Sequence, residues 1–311
     1  MNYIGIDISG TKCAVVLGNE KGEILKKERF LTTNVTETLK NIFDAVESMG
    51  ACERIGISCG GPLDAKRGII QSPPNLPGWD NIPITDMLTE RFGVPARLCN
   101  DADACALAEW KYGAGKGTEH MIFLTFGTGL GAGLILNGRL YSGACGMAGE
   151  VGHIRLSDTG PVGYGKHGSF EGFCSGGGIA NLGKQMIAQA YERGETVSMI
   201  KDCAALDTVT AKTIADAAMQ GDALAQEIYR ASAEKLGMGL SYLIDIFNPE
   251  RIVIGSVFAR SESLFRKTME TVIQSEALEQ SRQICRIVPA ALGDVIGDVA
   301  ALSVAIDGQT N

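Results

Sequence analysis

Two segments of the chain share one pattern: an apolar run, a polar turn that contains glycine and a second apolar run. The first segment covers residues 3–17 (YIGIDISGTKCAVVL) and the second covers residues 121–136 (MIFLTFGTGLGAGLIL). Apolar runs of this length joined by glycine and polar residues are typical of β-hairpins. The pattern predicts two hairpins that bend at Gly10-Thr11 and at Gly127-Thr128, and it indicates two copies of one architecture.

Strands and helices alternate after each hairpin. The periodicity predicts strands over 54–58, 96–99 and 251–255, and helices over Ile84–Phe92 and about Asp101–Tyr112. Apolar residues at steps of three, four or five predict one long helix over 224–247, which Asn248-Pro249 ends. Such alternation is typical of an α/β protein.

The length of the chain favours two domains, because 311 residues exceed the size at which a single hydrophobic core usually stops growing, about 250–300 residues. The best boundary is the segment 113–118, where glycine and small polar residues replace the periodic pattern. One large domain is the alternative. With 45% hydrophobic and 21% charged residues, the chain can bury a full core, which excludes a disordered protein.

Charge and cysteine usage exclude several classes of protein. The formal net charge of −8 has the wrong sign for a surface that neutralises nucleic-acid phosphates. Nine cysteines without a C-x-x-C pair form neither a disulfide framework nor a thiolate metal site, as expected of a cytoplasmic protein. No signal peptide is visible, and no uninterrupted apolar run approaches about 18 residues. We therefore expect no nucleic-acid partner and no membrane partner.

The two glycine-threonine turns are candidates for phosphate binding. Neither is a P-loop, and the glycine spacing from Gly127 to Gly133 does not fit G-x-G-x-x-G. Such a turn can still hold phosphate, because glycine lets the backbone approach closely, bare N–H groups face anionic oxygens and threonine adds a hydroxyl donor. Two ordinary hairpins are the alternative, although the presence of a pair of such turns favours phosphate binding.

A G-x-S-x-G match at residues 56–60 indicates a different enzyme class. In hydrolases this nucleophile elbow joins a strand to a helix. Here the match leads into the turn Gly61-Pro62-Leu63-Asp64, and the chain offers only three histidines as bases. We interpret the match as accidental.

Further motifs follow along the chain in a fixed order. They are Asp7-Ile-Ser-Gly10-Thr11-Lys12, Gly60-Gly61-Pro62 with Asp64, Pro74-Asn75-Leu76 with Gly78-Trp79, Asn100-Asp101-Ala102, Gly127-Thr128-Gly129, Ala148-Gly149-Glu150-x-Gly152-His153, Asn248-Pro249 and Ile254-Gly255. Over nearly the whole chain, this set resembles the ROK family of sugar kinases, a branch of the actin, hexokinase and Hsp70 superfamily. The resemblance implies an α/β fold of two ribonuclease-H-like lobes around a central cleft.

The resemblance also implies the extent of each lobe. The N-terminal lobe would comprise residues 1–116 and about 294–311, with the first phosphate hairpin and the catalytic aspartate, because the segment from Gly293-Asp294 to Ile306 resembles a closing helix that packs back on this lobe. The C-terminal lobe would comprise residues 117–293, with the second phosphate loop and the contacts to sugar and adenosine. Closure of the lobes would exclude water from the reaction.

The implied activity is ATP-dependent phosphorylation of a hexose or a close relative, with Mg²⁺ carried by ATP. Asp101 would be the catalytic base, since a sugar hydroxyl that attacks a phosphoryl group must lose its proton. From the residues alone, a carboxylate that simply caps a helix is the alternative, and the two roles can coexist.

Two further sets of residues receive roles by resemblance. The ATP- and phosphate-binding set, in which Asp7 would face the Mg²⁺-bound phosphates, is Asp7, Gly10, Thr11, Lys12, Gly127, Thr128, Gly129 and Gly255. For Lys12, an exposed lysine at a strand edge is the alternative. The sugar-binding set is Gly61, Asn75, Asn100, Asp101, Glu150, His153 and Glu171, and its polar groups mix donors and acceptors as a polyol requires.

Departures from the family pattern affect the site. Many members carry three cysteines that bind zinc together with the histidine at the position of His153, and here Val162, Tyr164 and Ser169 stand in the cysteine positions. His167 and Cys174 are nearby but fall outside the expected positions. We therefore expect no structural zinc. We expect Tyr164 to support the His153 ring in place of the metal, or else to lie exposed on a loop that orders when sugar binds.

Ser9 and Ser256 replace glycines in the nucleotide loops, and a positive φ at Ser9 would strain its turn.

The alternative to a kinase is a sugar-binding regulator or sensor of the same family without kinase activity. Repressors of the family carry a helix-turn-helix domain before the first hairpin, and Asp7 lies six residues from the start, which leaves no room for one. Retention of Asp7, Asp101 and both glycine-threonine turns favours the kinase. We expect a homodimer that acts on a small-molecule sugar and ATP.

Overall fold

The computed structural model describes residues 1–307, except for the side chain of Cys203. The chain folds into two compact units. Unit 1 comprises Met1–Glu119, Gly133–Ala148 and the described residues from Ala291 onward. Unit 2 comprises His120–Ala132 and Gly149–Ala290.

Strands and helices alternate along most of the chain, as the sequence predicts. The strands are β1 (Asn2–Ile8), β2 (Lys12–Asn19), β3 (Ile24–Leu31), β4 (Ile55–Cys59), β5 (Leu63–Asp64), β6 (Ile69–Ile70), β7 (Ala96–Asn100), β8 (Met121–Phe126), β9 (Leu130–Leu136), β10 (Arg139–Leu140), β11 (Val162–Gly163), β12 (Lys166–His167), β13 (Arg251–Ile254) and β14 (Arg286–Pro289). The α-helices are α1 (Val35–Met49), α2 (Ile84–Phe92), α3 (Asp101–Tyr112), α4 (Phe170–Phe173), α5 (Gly176–Glu192), α6 (Ala211–Met219), α7 (Ala223–Phe247), α8 (Ser256–Glu276), α9 (Glu279–Ile284) and α10 (Ile296–Asp307).

Unit 1 is built on a five-stranded sheet with the order β3-β2-β1-β4-β7. Strand β1 is antiparallel to β2 and parallel to β4, and β4 is parallel to β7. In the register of these strands, Ile8 pairs with Cys59 and Cys59 pairs with Asn100. The residues that follow these three therefore emerge at one edge of the sheet.

Helix α10 covers this sheet within unit 1. It packs closely because two strand residues lack a side chain: a Cβ at Gly5 would lie 2.5 Å from Leu302 N, and a Cβ at Gly56 would lie 2.3 Å from Ala305 N. Leu302 and Ala305 are buried. The late segment that resembles a closing helix is thus a helix of unit 1.

The second five-stranded sheet has the order β10-β9-β8-β13-β14. Strand β13 is parallel to both β8 and β14, and β10 is antiparallel to β9. The unit boundary falls within β9. Both sheets have the same arrangement: three strands that are consecutive in the chain lie side by side, and two parallel strands follow them in the sheet. The predicted α/β fold with two copies of one architecture is therefore confirmed.

Several elements have the bounds that periodicity predicts. Helices α2 and α3 cover Ile84–Phe92 and Asp101–Tyr112. Helix α7 ends at Phe247, and Asn248 adopts a left-handed conformation at its C-cap. Strand β4 is followed by the short strand β5 and not by a helix, which agrees with the interpretation of the G-x-S-x-G match as accidental.

The units differ from the sequence-based lobes in one internal segment and by three residues at each of two boundaries, 117–119 and 291–293. Residues 133–148, which the sequence-based division assigns to the second lobe, pack within unit 1. A Cβ at Gly133 would lie 2.6 Å from Ala102 O in α3, and Ser142 Oγ donates a hydrogen bond to Asp103 Oδ2 at 3.1 Å. Residues 308–311 of the sequence-based division lie outside the described residues. Within the described chain, no helix has both the length and the apolar character that a membrane span requires.

Candidate active site

The bend of the first hairpin, residues 9–12, joins β1 to β2 in unit 1. The Ser9 hydroxyl donates a hydrogen bond to Lys12 O at 2.8 Å, and Ser9 does not adopt a positive φ. The replacement of glycine by Ser9 therefore does not strain this turn. Thr11 and Lys12 are exposed, which is compatible with both interpretations of Lys12.

Asp7, near the end of β1, lies among other carboxylates. Burial raises its pKa to about 6, and the negative charges of Asp298 and Asp101 act in the same direction. Helix α10 comes close to this group, since a Cβ at Gly297 would lie 2.9 Å from Asp7 Oδ2. Asp298 is buried and forms an ion pair with Lys27. The positive charges of Arg29 and Lys27 act in the opposite direction. The carboxylates near Asp7 are of the kind that a divalent cation binds.

The junction between β7 and α3 holds the predicted base. Asn100 is the N-cap of α3, and its side-chain oxygen accepts a hydrogen bond from Ala102 N at 2.9 Å. Asp101 Oδ1 accepts a hydrogen bond from the same N–H at 2.8 Å. Although the Asp101 side chain reaches solvent, the protein around its carboxyl group removes part of its water and raises its pKa, while the hydrogen bond from Ala102 lowers it. The hydrogen bonds to the Asp101 carboxyl group come from the backbone N–H groups of Ala102 and of Asp101 itself, and no side chain among the described residues donates to it.

Two further predicted sugar-binding residues lie in the same part of unit 1. A Cβ at Gly61 would lie 3.6 Å from Asn100 Nδ2, and a Cβ at Gly10 would lie 2.4 Å from Asn75 O. Gly61 is therefore beside the Asn100 amide, and the Asn75 backbone packs on the first phosphate hairpin. Unit 1 places six predicted site residues around the ends of β1 and β7: Asp7, Gly10, Gly61, Asn75, Asn100 and Asp101.

The second phosphate loop, residues 127–129, follows β8 in unit 2 and packs against the start of α5. Gly127 O accepts a hydrogen bond from Gly176 N at 2.7 Å, and Thr128 O accepts one from Gly177 N at 3.3 Å. The N–H groups of Thr128 and Gly129 have no acceptor within the described residues. Bare N–H groups beside a helix N-terminus suit an anion.

Gly255 and Ser256 lie beside the same loop, at the start of α8. Gly255 N donates a hydrogen bond to Leu124 O at 3.0 Å. Ser256 has a φ of 51°, and its Oγ lies 3.9 Å from the Cβ that Gly127 would carry. The positive φ considered for Ser9 is thus found at Ser256. The glycine run 176–178 beside the loop was not predicted as part of the site, and its only sequence signal is the repeated glycine itself.

The remaining predicted sugar-binding residues belong to unit 2. Residues 150–153 form a short turn in which Glu150 O accepts a hydrogen bond from His153 N at 3.2 Å. Glu171 Oε2 accepts one from Leu130 N at 3.0 Å, directly after the second phosphate loop. A Cβ at Gly152 would lie 3.2 Å from Glu171 Cβ. The turn, Glu171 and the loop are therefore neighbours, and one carboxylate oxygen of Glu171 is bound to the backbone.

The segment that lacks the family cysteines forms a small hairpin. Strands β11 and β12 pair antiparallel, and the turn between them, Tyr164-Gly165, has φ values of 44° and 75°. The Tyr164 ring meets the His153 ring edge to face, with centroids 5.1 Å apart and an interplanar angle of 77°. Tyr164 is 72% exposed. The contact expected from the sequence is present, but through an exposed ring and not a buried one.

Two other residues considered near the zinc positions take part in protein hydrogen bonds. Ser169 is buried, and its Oγ accepts a hydrogen bond from Gly172 N at 3.1 Å. The buried Cys174 thiol donates to Ser232 O at 3.4 Å, and burial raises the pKa of this thiol. Among residues 1–307, no group of three His, Cys, Asp or Glu side chains is arranged to hold a metal ion.

Known proteins resemble this chain over almost its whole length. A family model described as the ROK family matches residues 3–307. A glucokinase of Thermotoga maritima is 33% identical over 285 residues, which cover 88% of this chain and 87% of that protein. A solved ROK family glucokinase from Streptomyces griseus, in complex with glucose and AMPPNP, matches with a TM-score of 0.79 at 31% identity and covers 99% of this chain and 100% of that one.

A repressor is also among the relatives. The xylose repressor of Caldicellulosiruptor bescii is 30% identical over 288 residues, which cover 89% of this chain and 71% of that protein. Likeness alone therefore does not separate a kinase from a regulator, and the distinction depends on the residues of the site.

Proposed function

Since the chain belongs to the ROK family, we propose that it transfers the γ-phosphoryl group of ATP to a hydroxyl of a hexose or a close relative. The observation that carries the proposal is the start of α3, where Asn100 caps the helix and no side chain among the described residues donates a hydrogen bond to the Asp101 carboxylate. Since Asn100 accepts the same hydrogen bond from Ala102 N, capping alone does not account for a carboxylate at this position. The glucokinase relatives, one of them bound to glucose and AMPPNP, support the same reaction.

Asp101 is the proposed general base. It accepts the proton of the sugar hydroxyl as the hydroxyl oxygen attacks the γ-phosphorus. Partial loss of water raises its pKa, so the carboxylate is a stronger base than a fully solvated aspartate. A general base is most effective when its pKa approaches the working pH, which makes this shift favourable for the reaction.

Asp7 is proposed to face the Mg²⁺ that enters with ATP. Carboxylate oxygens suit Mg²⁺, and the burial and the neighbouring charges that raise the Asp7 pKa to about 6 favour a cation that offsets them. When bound, Mg²⁺ neutralises charge on the transferred phosphoryl group. Gly10, Thr11 and Lys12 are proposed to contact the phosphates from the bend of the first hairpin.

Unit 2 is proposed to bind the rest of the nucleotide and part of the sugar. The free N–H groups of Thr128 and Gly129 would donate to phosphate oxygens, and Gly255 would lie next to the adenosine. Glu150, His153 and the second oxygen of Glu171 would bind sugar hydroxyls, as Asn75 and Asn100 would in unit 1. Their mixture of donors and acceptors fits hydroxyl groups, each of which both donates and accepts.

A sugar-binding regulator without kinase activity is the second candidate, and the similarity to a xylose repressor is the observation that favours it. Such a protein would bind sugar but would need neither a base nor a phosphate loop. Since Asn100 can cap α3 without Asp101, capping alone does not require the Asp101 carboxylate, and this favours the kinase over the regulator.

The deciding experiment measures sugar-dependent ADP release. The purified protein is mixed with ATP, Mg²⁺ and one member of a panel of hexoses, N-acetylhexosamines and pentoses that includes xylose, and the product is identified by mass spectrometry. We expect one sugar or a few related sugars to give a phosphorylated product. A sugar that binds by calorimetry but is never phosphorylated would support the regulator instead.

A further inference from the structure

The edge-to-face contact between His153 and Tyr164 is held at a cost in backbone conformation. We propose that Tyr164 is a positioning residue that fixes the orientation of the His153 imidazole, and that a tyrosine is kept in a strained turn for this purpose. The proposal rests on the proposed function, because that function assigns His153 to the sugar. It adds a residue that need not touch the sugar itself.

The turn that carries Tyr164 would be more favourable with another residue. Two-residue hairpin turns with positive φ at both positions strongly prefer asparagine followed by glycine. Here Tyr164 precedes Gly165, with φ values of 44° and 75°, and a bulky side chain is unfavourable in this left-handed region. Residues held in such conformations persist where the surrounding structure determines them, often at functional sites.

Packing into a core does not explain the tyrosine. Its side chain is 72% exposed, and its hydroxyl makes no hydrogen bond within the described residues. The contact that it does make is with the His153 ring, at a centroid distance of 5.1 Å and an angle of 77°. This is a favoured geometry for two aromatic rings, so the ring and not the hydroxyl is the part of Tyr164 that matters.

The hairpin is anchored to the chain around His153, which keeps the Tyr164 ring in place. Lys166 Nζ donates a hydrogen bond to His153 O at 2.7 Å, from the residue that pairs with Gly163 across the turn. The Arg155 guanidinium donates to His167 O at 2.7 Å. One side of the hairpin therefore holds the His153 backbone, and the Tyr164 ring at its tip holds the imidazole.

Two substitutions separate the ring contact from the stability of the turn. Tyr164→Phe keeps the ring and removes only the hydroxyl. Tyr164→Asn removes the ring and introduces the residue that the turn prefers, so its melting temperature should equal or exceed that of the wild type. Tyr242→Ala removes a tyrosine that is 40% exposed on α7 in the same unit and serves as the matched control.

The first readout is the NMR spectrum of the histidine rings, which does not depend on activity. The chain has only three histidines, His120, His153 and His167. We expect Tyr164→Asn to shift the His153 ring signals, because the ring current of Tyr164 is lost, and Tyr164→Phe to retain them. His167 lies in β12 of the same hairpin, so unchanged His167 signals show that the hairpin is intact.

The second readout is kinetic, with whichever sugar the wild type phosphorylates. An edge-to-face pair is worth about a two- to tenfold change in an equilibrium constant, so Tyr164→Asn should raise the sugar KM by about that factor and leave the ATP KM unchanged. Tyr164→Phe and Tyr242→Ala should resemble the wild type. Three outcomes would each overturn the proposal. The first is an equal effect of Tyr164→Asn on the sugar KM and the ATP KM, and the second is a Tyr164→Asn spectrum with unshifted His153 signals. The third is a Tyr164→Phe defect as large as that of Tyr164→Asn. A wild type that phosphorylates no sugar would instead overturn the proposed function, and the NMR comparison would still test the ring contact.

Discussion

Asn100 and Asp101 accept hydrogen bonds from one donor, the backbone N–H of Ala102, at 2.9 and 2.8 Å. Because two side chains share this donor, neither is solely responsible for satisfying it at the start of α3. The structural role of the junction and the chemical role assigned to Asp101 can therefore be separated by substitution.

Replacing Asp101 by Asn should abolish most of the activity and leave the fold intact. The amide keeps the shape and an oxygen that can accept from Ala102 N, but it cannot accept the proton of the sugar hydroxyl. Turnover should fall by roughly two to four orders of magnitude, while sugar affinity measured by calorimetry and the melting temperature change little. Turnover close to that of the wild type would assign the base to another residue.

The Asp7 carboxyl group should make folding less favourable as the pH rises. Its pKa is about 6 in the folded protein against an ordinary value of 3.8, so the folded state holds the proton more tightly than the unfolded state does. The stability that this proton contributes is present below about pH 4 and is lost as the pH rises through about 6. Asp7→Asn should therefore be more stable than the wild type at neutral pH, by about 1–3 kcal/mol.

Thermal unfolding of both proteins without Mg²⁺, at intervals between about pH 4 and 8, checks this sign. The difference in stability should shrink toward zero at the acidic end. A difference that is constant across the range would contradict a raised pKa for Asp7.

Glu109 should be important for the stability of unit 1. It is fully buried in α3, and its carboxylate accepts three backbone hydrogen bonds, from Ala114 N, Ala291 N and Leu292 N. Glu109→Gln places an NH₂ group against one of these donors, so the free energy of unfolding should fall by about 1–3 kcal/mol. Denaturant unfolding measures the loss. Glu90 is exposed on α2, so Glu90→Gln is the control, and its free energy of unfolding should change by no more than about 0.5 kcal/mol. Equal losses of stability in the two variants would contradict the role of Glu109.

Replacing Ser256 by Gly should stabilise the protein. Ser256 has a φ of 51° at the start of α8, a conformation that glycine adopts freely but other residues do not. After the entropy that glycine loses on folding, the net gain should be about 0.5–1 kcal/mol. Ser256→Ala keeps the strained φ and should show no gain. A similar gain for both variants in urea unfolding would attribute the effect to the lost hydroxyl.

The purified protein should contain no stoichiometric zinc, because Val162, Tyr164 and Ser169 stand where the family resemblance implies cysteine ligands. Chelation should leave its melting temperature unchanged. Elemental analysis that finds about one zinc per chain would contradict this prediction and direct attention to His153, His167 and Cys174.

The elements with a clear local signal could be predicted from the sequence. The bounds of α2 and α3 follow from apolar periodicity and from the residues at their ends, and the two hairpins follow from the glycine-threonine turns. These signals come from residues that are neighbours in the sequence, so they predict the elements without knowledge of the tertiary structure.

Other features depend on contacts between distant segments. The burial of Glu109 against residues 291–292 and the packing of the glycine run 176–178 on the second phosphate loop have no local signature. The same holds for residues 133–148, which join unit 1 because Gly133 packs on α3. For Tyr164 the sequence predicted contact with His153 and gave exposure of the ring as the alternative, whereas the structure combines the contact with an exposed ring.

The position of α10 on the sheet of unit 1 imposes an order on biosynthesis. The ribosome releases β1 and β4 long before Ile296–Asp307, the helix that covers them. Throughout most of translation this sheet therefore lacks the helix that covers one of its faces, and exposed apolar surface of this kind favours aggregation. A stop codon shortly before Ile296 would therefore leave the sheet that is made first without the helix that covers it.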